Sequence, residues 1–376
     1  MPFDDIEAKN PLVAEGEHAM TICNACRYCE GFCAVFPAME RRLSFATGDL
    51  NYLANLCHNC GECYHACQYA PPHEFGINIP KTMAKLRRAS YQEYAWPQPL
   101  AKAFAKNGVA AAGLAVLVLT LAMAGAATLL GGRLLQAVPG GNFYALIPHG
   151  VMAGAFGGVS LLIALALLIG LVRFWRDAGE SLTELAKPFA LGEALRDIAG
   201  LTYLHGNGAG CPYPGEVNSH ARKWFHHATF YGFMLCFAAT SVATVYHYGF
   251  GWPAPYGYFS LPVVLGTVGG VGLIVGPIGL LWLKRGREQA VVDPAQNGMD
   301  LAFILLLIAT SVSGLALLAL RESAALGITL ILHLAIVMTL FLMLPYGKFV
   351  HGLYRGAALV KYALERRRPG LNLGGE

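Results

Sequence analysis

CNACRYCEGFC at residues 23–33 and CHNCGECYHAC at residues 57–67 are two copies of one pattern, C-x2-C-x2-C-x3-C, with unchanged spacing. Three thiols at two-residue gaps can wrap three corners of an iron–sulfur cube. The fourth, one residue further on, aims at a second cube. In the two-cluster arrangement with this spacing, each motif lends its last cysteine to the other motif's cluster. The spacing therefore predicts one [4Fe–4S] cluster on Cys23, Cys26, Cys29 and Cys67, and another on Cys57, Cys60, Cys63 and Cys33. Zinc is the competing metal for paired C-x2-C units. It needs four ligands, however, and does not ask for a third cysteine plus a fourth at fixed offset, twice. The proline that usually follows the fourth cysteine is replaced by Ala34 and Gln68, which leaves the local backbone shape open but not the ligand count.

The cysteines belong to a polar head. Residues 1–105 contain no apolar stretch of the ~20 residues that cross a bilayer. The acidic start, Met-Pro-Phe-Asp-Asp-Ile-Glu, lacks the basic residues and apolar run of a secretory signal. A head that stays in the cytoplasm keeps its thiols reduced, so clustered cysteines point to metal rather than disulfides. From about Gly108 the composition changes. Six runs, at 108–130, 149–172, 226–247, 259–283, 301–320 and 325–345, meet the spanning criterion. Over all 376 residues, charged side chains make up 13% and hydrophobic ones 55%, whereas an ordinary soluble domain carries about 25% charged residues. The net charge is 27 − 23 = +4. This balance excludes a disordered chain, a basic nucleic-acid-binding protein and a single soluble globule. The expected fold is an α-helical membrane protein with six transmembrane helices and an N-terminal cytoplasmic, ferredoxin-like, α-helical head. The head is expected at 1–105 and a haem-bearing transmembrane domain at 106–376, with an inner loop at 173–225.

Orientation follows from the basic residues. The outward connections carry only Arg133 and Arg321, whereas the inward flanks carry fifteen Lys and Arg, among them Arg173, Arg222, Arg287, Lys348 and Arg355. The positive-inside rule then places both termini in the cytoplasm; the expected location is a bacterial inner membrane, crossed several times. Within the inner loop, residues 181–203 have helical apolar spacing and are expected to lie along the interface. Gly206, Gly208 and Gly210 read as a flexible turn.

Ionisable residues at membrane depth are functional candidates, and histidine is a common axial haem ligand. The candidates are His149 at the outer start of span 2, His226 and His227 at the inner start of span 3, His247 at its outer end, and His333 and His351 on span 6. A continuous helix would put His333 and His351 on one face, ~27 Å apart along the axis. One or two b-type haems are expected. The inner pair would be His226 or His227 with His351; the outer one would be His247 with His333 or with His149.

The strings CNACRYCEGFCAVFPAMERR (23–42), GDLNYLANLCHNCGECYHACQYAPPHEFGINIP (48–80), ARKWFHHATFYGF (221–233) and YHYGFGWPAPYG (246–257) resemble the tricarballylate/citrate utilisation protein B family (TcuB, also CitB). The resemblance implies a membrane electron carrier that reoxidises the reduced FAD of a soluble partner, TcuA, which converts tricarballylate to cis-aconitate. It further implies that electrons pass through two [4Fe–4S] clusters and haem b to the membrane quinone pool. The partners so implied are a soluble FAD-containing dehydrogenase, quinone and the lipid bilayer. The chain itself shows no flavin fingerprint, so no substrate-dehydrogenating site is expected in it; its inner loop and basic rim are the expected docking surfaces. The alternatives are a redox subunit serving a different flavoprotein or a quinol-linked reductase, and an iron–sulfur-regulated transporter or sensor. A transporter would show inverted repeats and midplane polar residues; the spans show no repeat.

Overall fold

The structure is a computed structural model and describes residues 10–132, 134–206, 208, 210–212 and 217–369. The acidic start at 1–9 and Arg133 lie outside the described residues. In the head, Asn10 caps α1 (Pro11–Cys26) by accepting the Leu12 N–H, and Pro11 occupies a first-turn position where a missing N–H costs nothing. The helix stops at Arg27, whose left-handed φ of 55° returns its N–H to the Cys23 carbonyl. Cys23 and Cys26 therefore ride the last turn of α1, and Cys29 and Cys33 follow on the loop into α2 (Val35–Met39). No proline is needed after Cys33, because the chain enters α2 directly. The second motif starts where α3 (Thr47–Leu56) ends in extended backbone at Cys57. Asn59 and Gly61, with φ of 54° and 95°, turn the chain back. The short α4 (Glu62–His65) then presents Cys63, with Cys67 just beyond it. Another helix, α5 (Ile79–Tyr94), packs back on α1 and α3, and α6 (Gln98–Lys106) leads on to the membrane helices.

The rest is a helical bundle: α7 (Gly108–Leu129), α8 (His149–Asp177), α9 (Pro188–Gly200), α10 (Ala221–Phe250), α11 (Leu261–Arg285), α12 (Asn297–Ala319), α13 (Leu326–Met343) and α14 (Val350–Arg367). Six of these, α7, α8 and α10 to α13, are long and apolar enough to cross a membrane. Rows of Leu and Val such as Leu114, Leu117, Leu121, Leu161 and Leu165 stand exposed along them, as a lipid-facing surface requires. The chain is a multi-pass membrane protein of the expected all-helical class. A two-residue ribbon, β1 (Cys211–Pro212) against β2 (Asn218–Ser219), closes the connection before α10.

Small residues let α10 and α11 touch. A Cβ on Gly232 would lie 2.9 Å from the Gly269 carbonyl, and one on Gly276 would lie 2.6 Å from the Thr229 amide. Gly272 and Gly276 form the small-xxx-small spacing that brings membrane helices together. Gly276→Leu is therefore expected to lower the detergent-solubilised protein's thermal midpoint by an amount corresponding to ~1–3 kcal/mol or more of overpacking. An unchanged midpoint would show the two helices free to separate.

Two features depart from the sequence reading. The sixth span ends at Met343, and His351 stands on α14, a separate helix. Pro345 has no N–H for the Phe341 carbonyl, and the Tyr346 and Gly347 amides instead close turns on Met343. His333 and His351 thus share no helix face. The long connection is also more structured than expected. Its helix covers only Pro188–Gly200 and packs against α14, and the glycine turn is fitted to its surroundings. A Cβ on Gly210, at φ 106°, would meet Ser219 backbone at 2.6 Å, and one on Gly206 would lie 3.3 Å from Glu62.

The core of the head is not made by the head alone. Phe174 and Trp175 from the end of α8, Ala190 and Ala194 from α9, and Tyr354, Ala358 and Leu359 from α14 are buried among Met20, Leu50, Leu53 and Met83. A buried polar junction fastens it: Arg42 donates to Glu365 at 2.6 Å, the Tyr52 hydroxyl donates to the other oxygen of Glu365 at 2.9 Å, and Lys361 stands 3.8 Å away.

Candidate functional site

Two cavities in the head collect the eight motif cysteines. Cys23, Cys26, Cys29 and Cys67 line the first, of about 280 Å³, which Cys63 also lines. Cys33, Cys57, Cys60 and Cys63 line the second, narrower one. Cys33 comes from the first motif and Cys67 from the second, so each is brought to the other motif's cavity. No cysteine among those described is in a disulfide.

The thiols suit a cluster better than they suit each other. Burial, followed by the charges of Cys67 and Cys29, pushes Cys23 up to about 12; Cys29 is likewise pushed up to about 12. Burial, then Cys60 and Cys57, raises Cys33 well above the ordinary thiol range. Thiolates crowded in a dry pocket need a positive core between them. Zinc is a poor choice, since bonds of ~2.3 Å would draw its four sulfurs to within ~4 Å of one another. Among the described residues, no three His, Cys, Asp or Glu side chains converge tightly enough to hold a single metal ion.

The second cavity is joined to the membrane helices by arginines. Arg222 on α10 donates to the carbonyls of His58 and Asn59 at 2.8 and 3.0 Å. Arg355 on α14 donates to those of Asn55 and Cys57 at 3.2 and 2.8 Å. Arg287, just past α11, donates to the Asn59 carbonyl at 2.8 Å and to its side chain. Arg87 on α5 donates to the carbonyls of Ala54 and Cys57 at 3.0 and 2.7 Å. Three of the fifteen basic residues of the expected rim, Arg222, Arg287 and Arg355, are thus engaged by the chain's own 54–59 segment.

Each of two candidate histidines lies one helical turn from such an arginine: His226 after Arg222, and His351 before Arg355. Residues four apart share a helix face, so both histidines look toward the second cavity. Their ring centroids are 6.1 Å apart, with planes at 81°. Two metal–nitrogen bonds of ~2 Å plus the half-width of each ring add up to ~6 Å. Nδ1 of His351 donates to the Lys348 carbonyl, which leaves Nε2 with its lone pair; a hydrogen bond of this kind typically orients a ligating imidazole. His226 keeps Nδ1 buried without a hydrogen-bond partner among the described residues. His58 lines the cavity and is held by the Leu56 carbonyl at 2.9 Å, within electrostatic reach of Arg355, Arg222 and His226.

The other candidates are placed differently. His227 turns away to Trp224 and Tyr231. At the far end of the bundle His149 and His247 stack face to face, centroids 4.0 Å apart and planes at 17°, which leaves no room for an iron between the rings. His333 is not paired with His247; its Nδ1 lies 3.0 Å from the Ser313 hydroxyl, and its ring fills the space left by Gly314. Sequence reasoning passed over Cys211, which is buried beside Cys60 with Arg222 at 3.9 Å from its sulfur. It also passed over Arg87 and His58. His58 sits between two motif cysteines, which was its only signal.

Residues 16–93 match the family profile described as Citrate utilization protein B Fer4-like domain, and residues 105–372 match that described as Citrate utilization protein B. The Citrate utilization protein B of Escherichia coli is 52% identical over 360 residues, spanning 94% of this chain and 93% of that protein. No solved structure matches. The eight cysteines of the Fer4-like domain suffice for two iron–sulfur clusters, which makes the chain an iron–sulfur membrane protein suited to electron transfer.

Proposed function

The chain belongs to the citrate utilization protein B family, and from that premise we propose a membrane subunit that reoxidises the reduced FAD of a soluble flavoprotein dehydrogenase. The donor would be a TcuA-like enzyme oxidising tricarballylate to cis-aconitate, and the acceptor the quinone pool. Two [4Fe–4S] clusters on the crossed cysteine sets and one haem b between His226 and His351 would supply one-electron carriers that split the flavin's electron pair. The observation that carries this reading is the pairing of the His226 and His351 rings, each one helical turn from an arginine bonded to the loop of the second cavity.

The residues divide the labour. The crossed cysteines hold the two carriers side by side in one small head. Arg222 and Arg355 fix the distance from the second cavity to the histidines, because each is rigidly one turn from its histidine and bonded to the cysteine loop. The flavoprotein docks at the first cavity, which is the more open: Tyr28 lines it and is 69% exposed, and Phe75 nearby is 42% exposed. Both termini and the head face the cytoplasm, where the donor is found.

Quantifying iron, acid-labile sulfide and pyridine haemochrome on one anaerobic preparation tests the reading. We expect about eight non-haem irons and about one haem per chain, with reduced b-type bands that reoxidise when a soluble quinone analogue is added. Zinc in place of iron, or bands absent after dithionite, would favour a sensor or transporter instead.

A further inference from the structure

We infer that two arginines bonded to the 54–59 loop, Arg87 and Arg355, make the second cysteine set the more oxidising of the two cluster sites, so that electrons arriving at the first set run downhill toward His226 and His351. This rests on the proposed electron-transfer reading and adds a direction to it. The step is one electron from a reduced first site to an oxidised second site, with no bond made or broken.

Arg87, Arg222, Arg287 and Arg355 come from four different helices or their ends and converge on the backbone of residues 54–59. The partners of Arg87 and Arg355 there are carbonyl oxygens, which are neutral, so these two positive charges reach the cavity uncancelled by those bonds. Arg87 is 3% exposed, where solvent screens little. A unit charge ~10 Å away, at an effective dielectric of ~20, biases a one-electron equilibrium by about tenfold. Positive charge favours the reduced, more negative cluster.

Amide hydrogens act in the same direction, since hydrogen bonds to the sulfurs help to set cluster potential. The Asn59 N–H donates to Cys57 Sγ at 3.4 Å, and the Val35 and Glu62 amides act on Cys33 and Cys60. At the first set the influences on Cys23 are burial and three other thiols. Its nearest cation in sequence, Arg27, is exposed and donates to the Asn24 carbonyl. Glu62 stands between the sets, lining the second cavity and acting on Cys29, so its charge weighs on both. Deeper burial of the second set opposes the effect, because it penalises added negative charge. Arg87 and Arg355 at about tenfold each outweigh it.

The test is an EPR-monitored potentiometric titration of the full-length protein in nanodiscs. The wild type should reduce in two steps separated by at least about tenfold, or about 59 mV for one electron, and Cys33→Ser should delete the upper step. Arg355→Gln should lower the upper step alone by about tenfold, and Arg355→Lys should hold it. If Arg355→Gln fails to fold, Arg87→Gln gives the same readout. Two clusters titrating together, an upper step surviving Cys33→Ser, or arginine variants that move the lower step or neither would overturn the inference and leave the electron-transfer reading standing. A protein without clusters would end both.

Discussion

Cys33→Ser removes the cluster of the second motif and spares that of its own. Non-haem iron should fall from about eight to about four per chain, with one of the two EPR signals lost. Cys67→Ser should do the reverse, emptying the cavity lined by Cys23, Cys26 and Cys29. The reason is positional: Cys33 lines the cavity of Cys57, Cys60 and Cys63, and its raised thiol responds first to burial and then to Cys60 and Cys57. A serine there offers a hard, protonated oxygen in place of a thiolate. The decisive comparison is with Cys23→Ser. If Cys33→Ser and Cys23→Ser delete the same signal, each motif serves its own cluster and the crossing is wrong.

The second large effect is on the pigment. His351→Ala and His226→Ala should each abolish the reduced b-type absorbance, from about one haem per chain to none, because bis-imidazole ligation fails when either ring is lost. His227→Ala, His333→Ala and His149→Ala should retain it. His227 points to Trp224, His333 is bonded to Ser313, and His149 lies flat against His247. Haem content normalised to non-haem iron is the measurement, since it separates loss of pigment from loss of protein. Retention in both inner variants would remove the haem from this site.

What was legible in the sequence was local. The six spans stand out because crossing lipid demands ~20 apolar residues in a row, and the cysteine spacing because a cube fixes three thiols within seven residues. The rest depends on pairings the chain does not announce. Arg222 meets Asn59 across 163 positions and Arg355 meets Cys57 across 298. By residue type both were only positive-inside flank, and nothing in their neighbourhood says that they bond carbonyls in the head. Pro345 stands at the end of the sixth run, yet whether the helix continues, bends or ends there depends on the amides of Tyr346 and Gly347 finding Met343. The placement of the outer histidines is a related case: helix register gives depth but not the tilt of a ring.

The final helix has a consequence for biogenesis. Tyr354, Ala358 and Leu359, which complete the packing around Met20 and Leu53, leave the ribosome after all six spans, whereas the motif cysteines leave it before them. The N-terminal segment must therefore wait, thiols unpacked, until all six spans have been threaded into the bilayer. Iron loading then becomes a late event, and a chain that stalls before residue 350 never acquires a finished metal compartment.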